Sequence, residues 1–441
     1  MFKTSEKSLT GIINNYLSIF YFLNLLLVMV FMRSFVGIYI FGFQVGKIYT
    51  GISLIICLLL TIRPFTSQLL EPELNKLINV IKLILFSFLI VLIINKSFNF
   101  NTDILRNSSY LWSLGYFFLG FYFLKRVDKR ILLTFVSLGL FASYFITFIN
   151  YPNFIMDFFI KYSDKFQFIK AADMLLIVIV FNFLVKKYKF SKQTEFLTFI
   201  ATLSIFTPYF FVQSRGSVLG AFVYFILNLF SFFDYLKENK IKSIIILITG
   251  GLIFYGSSYF LSGIAFNPEY SAESIEEVNT IIVEEVVTKK NVSKGFLTFY
   301  FADGRIHSYD NTTNWRLDIW QDLIQDLYEK RKLVFGFGYE EIFEIMLDPT
   351  APGRLGRDGL NENVHNYFMN ILGRGGVVQL ILFLYFYFVL FKIWRNKGNS
   401  LNSFLTYMIP ILIVSSLDVT MEGVQFPLLF FSFIGHYVSY D

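Results

Sequence analysis

The sequence predicts an all-α, polytopic integral membrane protein with about twelve transmembrane helices and one large extracytoplasmic loop containing an amphipathic helix. Three observations carry this reading. Of the 441 residues, 55% are hydrophobic and 16% are charged, which would leave a soluble fold with far more apolar surface than one core could hide. The apolar residues are grouped into runs close to the roughly 20 residues a helix needs to cross hydrocarbon. One stretch, from Asn267 to Asn363, is polar and charged, whereas nearly all the rest is a succession of such runs. Helices are expected over barrel strands because the bilayer core offers backbone groups no water, and the runs are long and continuous.

The first run, 11–32, is about as long as a full span and has no small-residue cleavage site after it, so it reads as an anchor. The second, 46–62, holds Cys57, the only cysteine. An intrachain disulfide is thereby excluded, and a thiol buried in lipid is a poor nucleophile. Runs at 79–95, 108–124, 131–149, 171–186, 195–213, 217–235 and 243–263 follow, and 374–391, 401–417 and 425–440 come after the polar insertion. This divides the chain into N-terminal spans (1–263), a large periplasmic loop (264–365) and C-terminal spans (366–441).

Lys and Arg in the short loops set the orientation. One alternate set holds sixteen of them, including Lys125, Arg126, Lys129 and Arg130, and Lys186, Lys187, Lys189 and Lys192. The short loops of the other set hold seven, with none at 418–424. The richer set is expected to be cytoplasmic, which leaves both termini inside and the insertion outside. The net charge of +6 follows largely from this bias and gives no reason to expect a nucleic-acid partner.

Within the insertion, residues 271–290 carry five glutamates among β-branched residues and read as a solvated segment without chemistry. From Asn314 onward, Trp315, Leu317, Ile319, Trp320, Leu323, Ile324 and Leu327 fall at i, i+3, i+4 and i+7 relations, the pattern of an amphipathic helix. Its tryptophans suit the headgroup boundary or the tops of the spans. Gly336 and Gly338 mark a turn, and 349–359, with Arg354 and Arg357, reads as a loop.

Three short clusters fall on the outer side: Ser214-Arg215-Gly216, Asn314-Trp315-Arg316 and His365-Asn366. Together they could form one site, because an arginine fork binds phosphate oxygens in a bidentate way and stays charged in a low dielectric. Each also has a plainer reading. A lone Arg after an apolar run is commonly a snorkelling anchor, Arg316 could be a surface charge, and His365 an interfacial hydrogen-bonder. Arg354 and Arg357 read as solvated loop charges, and His307 and His436 as structural. No phosphate-binding loop, His-Glu-x-x-His or paired-cysteine metal site occurs, so no cofactor or metal is expected.

These residues resemble the O-antigen polymerase and O-antigen ligase family of bacterial cell envelopes. The resemblance is strongest over about 314–391, where Arg316-Leu-Asp-Ile-Trp320 precedes Leu333-Val-Phe-Gly336-Phe-Gly338, then His365-Asn366, then glycines opening a span. Ser214-Arg215-Gly216 is similar to the family's other arginine motif. Two departures stand out: Arg374 replaces a usual acidic residue, and Gln379 a usual second glycine. The resemblance implies metal-independent glycosyl transfer from an undecaprenyl-pyrophosphate-linked saccharide at the periplasmic face of the bacterial inner membrane. His365, Arg316 and Arg215 would be catalytic, and Ser214, Asn366, Trp320, Arg354 and Arg357 would bind substrate. Implied partners are the lipid-linked saccharide, membrane lipids and a chain-length regulator. Polymerase is the leading reading, with ligase as the alternative. A transporter or flippase would need polar residues well inside the spans, which are nearly free of them, and a non-catalytic scaffold would not require the three clusters to meet.

Overall fold

A computed structural model describes residues 9–62, 74–97, 102–148, 152–167, 169–262, 298–348, 351, 354–355 and 362–439. The acidic segment 271–290 and Arg357 lie outside these residues. Among the described residues, twelve α-helices precede the insertion: α1 (Leu9–Val36), α2 (Val45–Leu59), α3 (Asn75–Ile94), α4 (Thr102–Asn107), α5 (Ser109–Trp112), α6 (Gly115–Phe123), α7 (Lys129–Phe148), α8 (Asn153–Tyr162), α9 (Ala171–Lys187), α10 (Lys192–Gln213), α11 (Arg215–Glu238) and α12 (Lys240–Ser262). The insertion contributes α13 (Asn311–Glu329), and α14 (Tyr367–Asn396), α15 (Leu401–Ser415) and α16 (Gln425–Val438) complete the helical set.

Among the described residues, seven helices are long and apolar enough to cross a membrane. Each of the twelve expected spans falls on helical chain, but the others are shorter; α2 and α15 have 15 residues each. The expected span at 108–124 is broken into α5 and α6. Membrane faces are legible as exposed apolar stripes. On α12, Ile241, Ile244, Ile245, Ile248, Leu252 and Tyr259 all point outward, a surface suited to lipid. By contrast α9 is buried on every side from Ala171 to Val185, as expected of a helix apolar all round at the centre of a bundle.

Small residues allow the closest crossing. A Cβ on Gly120 of α6 would fall 1.9 Å from the Ser432 carbonyl oxygen of α16, and one on Gly435 would fall 2.0 Å from that of Phe117. Glycines at both contact points let the two backbones touch.

Among the described residues, two short antiparallel hairpins interrupt the helical pattern: β1 (Tyr39–Ile40) with β2 (Phe43–Gln44), and β3 (Phe299–Ala302) with β4 (Arg305–Ser308). Both central residues of each turn, Phe41-Gly42 and Asp303-Gly304, have positive φ, the geometry whose twist matches a two-residue hairpin. His307 therefore lies on a strand, stacked on Tyr300 at 5.4 Å, and not in irregular chain.

α14 begins at Tyr367, seven residues earlier than the apolar run alone indicates, and breaks at Gly376, where φ is 71°. The break exposes backbone groups on both sides, and the 332–338 segment satisfies them. Phe337 and Gly338 donate to the carbonyls of Gly373 and Arg374 at 2.8 and 3.0 Å, while Val377 and Val378 donate to Leu333 and Val334 at 2.9 and 3.3 Å. The two departures from the family pattern serve this junction. Arg374, 2% exposed, donates to the Gly338 and Glu341 carbonyls and lies over the Phe343 ring. Gln379 accepts from Tyr110 and Tyr339 and donates to Ser87.

Gly376→Val should therefore be strongly destabilising. Its Cβ would sit 2.2 Å from the Val334 carbonyl oxygen at a φ of +71°, so a strain of about 1–3 kcal/mol adds to lost docking of the loop. The expected result is poor accumulation or a lowered melting temperature in detergent, with wild-type behaviour refuting this account of the break.

Candidate active site

The site is assembled from helix N-termini. Ser214 caps α11, its Oγ accepting from Ser217 N at 3.3 Å, so Arg215 is the first helical residue. Asn366 caps α14 in the same extended conformation, its Oδ1 accepting from Phe368 N and Met369 N at 3.0 and 3.1 Å. Both residues thus have capping roles, which fix the arginine and histidine beside them. Helix N-termini also present partial positive charge, which favours anions.

His365 precedes its cap in the left-handed region, at φ 52°, a conformation uncommon for a non-glycine residue and held only by strong surroundings. Those surroundings are visible. The Trp320 indole donates to the Val364 carbonyl at 2.7 Å, Asn366 fixes the following turn, and the Trp315 ring meets the imidazole edge-on at 5.0 Å. Trp320 is thereby placed to position the histidine. The apolar face of α13 does not lie free on the membrane: Ile319, Leu323 and Leu327 pack with Phe343, Ile345, Met346, Val364 and Leu372 in a separate core.

Asp310 caps α13, accepting from Thr313 N at 3.1 Å, and pairs with Arg215. The carboxylate is 2% exposed and the arginine side chain 50%. Burial alone would raise the Asp310 pKa, but hydrogen bonds from Thr313 and Arg215 outweigh it and hold the carboxyl below the ordinary range. Asn314 secures the hairpin, accepting from Ser308 N at 2.9 Å and donating to Asp318 at 3.1 Å. Arg354 is engaged within the fold, donating to the Ile345 carbonyl at 2.7 Å and to Asp322.

Arg316 closes the arrangement. Burial depresses its pKa, while Asp418 and Asp310 act against that, and its Nε is buried without a hydrogen-bond partner. His365 lies in its field. Burial first, then Arg316, lowers the imidazole pKa to about 4, with Asp418 opposing and Lys170 reinforcing. His365 is therefore neutral at pH 7. The N-terminal ends of α9, α11, α13 and α14 and the loop joining α15 to α16 thus come together around Arg215, Asp310, Arg316, His365, Lys170 and Asp418. A Cβ on Gly216 would lie 3.1 Å from that of Leu417, next to Asp418, which ties the Arg215 motif to this loop directly.

Sequence reasoning missed Asp418, Glu422, Asp310 and Lys170. For the first two, the available signal was a pair of acids in a short loop of an otherwise apolar C-terminal region. Among the described residues no group of three His, Cys, Asp or Glu side chains is arranged to hold a metal ion.

These features define a helical membrane protein with a cationic, histidine-bearing site where helix N-termini converge. Residues 196–384 match the family model described as O-antigen ligase, a segment running from α10 into α14 and containing Ser214, Arg215, Arg316, His365 and Asn366. The match supports the O-antigen ligase and polymerase family, whose members are glycosyltransferase-like enzymes acting on lipid-linked glycans. The apolar helices and this family together support a membrane protein. No curated protein matches the chain.

Proposed function

We propose that this protein polymerises undecaprenyl-pyrophosphate-linked repeat units into a surface polysaccharide, by metal-independent glycosyl transfer at the periplasmic face of the inner membrane. What supports the reading is that Arg215 and His365 lie beside the capped N-termini of α11 and α14, that Arg215 pairs with Asp310 of α13, and that Arg316 of α13 shares a field with both Asp310 and His365. The donor pyrophosphate would take the Arg316 fork and the helix ends, with Arg215 shared between it and Asp310. As the acceptor hydroxyl oxygen bonds to the anomeric carbon, the bond from that carbon to the pyrophosphate oxygen breaks and the lipid pyrophosphate leaves with the electron pair. The hydroxyl proton passes to neutral His365. An open apolar groove between α10, α11 and α12, lined in part by the exposed Phe211 and Phe222 and by Val218, has the chemistry an isoprenoid tail requires, and these residues lie within two helical turns of Arg215 in the chain. Arg357 remains a proposed substrate contact, and a chain-length regulator a proposed partner.

The test is the surface polysaccharide of a deletion strain. Single repeats are expected; full-length polymer left on the lipid carrier would instead identify the alternative, a ligase that moves the glycan to a lipid A core. Unchanged polysaccharide would overturn both.

A further inference from the structure

The loop between α15 and α16 carries a buried carboxyl group that no other side chain holds. Glu422 is fixed through its backbone: its carbonyl accepts from Ser109 Oγ at 3.1 Å, and Gly423 N closes a turn onto the Thr420 carbonyl at 3.3 Å. Thr420 is itself tied to Ser415 Oγ at 2.9 Å. Its side-chain oxygens, however, are both buried without a hydrogen-bond partner, the only carboxyl among the described residues in that condition. Buried polar groups are ordinarily paired, so a rigidly presented, unpaired carboxyl points to a ligand that supplies donors.

The surrounding charges indicate which end of the substrate this is. Glu422 lies in the field of Asp418 and Lys170, which also act on His365. A pyrophosphate would be repelled by a carboxylate there; a sugar hydroxyl would not, since a carboxylate oxygen accepts from O–H and a protonated carboxyl can also donate. Burial first, with Asp418 adding to it, raises the Glu422 pKa to about 7 against the nearby backbone N–H groups of Glu422 and Thr420 and the charge of Lys170, so both forms are accessible near neutrality.

We infer that Glu422 binds a hydroxyl of the acceptor saccharide and thereby sets which sugar is presented to His365. The inference rests on the glycosyl-transfer reading and adds an acceptor subsite to it. The experiment uses the full chain in detergent, with lipid-linked repeat unit extracted from the producing strain as donor. Two soluble acceptors serve as probes: a fluorescent aryl glycoside of the repeat unit and the core oligosaccharide of the same strain. For the acceptor that wild type uses, Glu422→Gln should raise KM about tenfold or more, leave the donor KM within about twofold, and weaken binding of that acceptor measured without donor. Glu422→Ala should do so more strongly, and the near-isosteric Gln variant decides the matter if Ala does not accumulate. Equal increases in donor and acceptor KM, or unchanged kinetics with a raised melting temperature, would overturn the acceptor role while leaving glycosyl transfer intact. Wild-type protein that transfers nothing from the lipid-linked donor would sink both.

Discussion

His365→Ala is expected to remove about 10²–10⁴-fold of the transfer rate, the range typical of a positioned general base, while the protein still inserts and elutes as wild type does. That loss corresponds to about 3–5 kcal/mol of barrier. The ring is held from outside, by Trp320 through Val364, by the Asn366 cap and by Trp315, so removing the imidazole leaves the supporting contacts of its neighbours in place. The pH profile gives an independent check. In the free enzyme burial, Arg316 and Lys170 lower the imidazole pKa to about 4 against the pull of Asp418. Since the neutral ring is the active form, a lowered pKa extends activity toward acid, and kcat/KM should hold until pH falls toward about 4. Bound pyrophosphate places negative charge opposite Arg316 and must raise the imidazole pKa, so the acid limb of kcat should lie at higher pH than that of kcat/KM. Limbs in the opposite order, or a His365→Ala variant with near-normal rate, would sink the base assignment.

The parts of this fold that are legible in sequence are those fixed by composition and period. Long apolar runs mark the spans because hydrocarbon demands them, and the i, i+3, i+4, i+7 pattern of Trp320, Leu323, Ile324 and Leu327 marks α13. What periodicity does not carry is how a run is divided. The split of 108–124 into α5 and α6 and the break of α14 at Gly376 arise from tertiary partners, the latter from the 332–338 segment that fills the gap. Asp303-Gly304, flanked by alternating residues, is a readable hairpin signal even in an otherwise helical chain. At the site, arginine and histidine announce themselves by residue type. Ser214 and Asn366 do not, because a cap is recognised only once the helix boundary is known. Glu422 lies 57 residues beyond His365, and only folding brings it beside the cluster.

Arg316→Ala is expected to have the largest effect among the cations, about 10²–10³-fold on kcat/KM, the scale of losing one electrostatic contact to a developing charge. Arg215 should matter less. It is half exposed and already neutralised by Asp310, whereas Arg316 is more deeply set, carries a buried nitrogen without a partner and faces the imidazole. The substitution has a second consequence of determined sign. Arg316 is the largest charge lowering the His365 pKa after burial itself, so its removal must raise that pKa and move the acid limb of kcat/KM toward neutral pH. Arg316→Lys separates the two effects. It restores the charge, and with it the position of the limb, but not the planar fork that grips two phosphate oxygens, so most of the rate loss should persist. A rate loss in Arg316→Ala with an unmoved acid limb would mean that arginine and histidine do not share one field, and the single-site reading would fall with it.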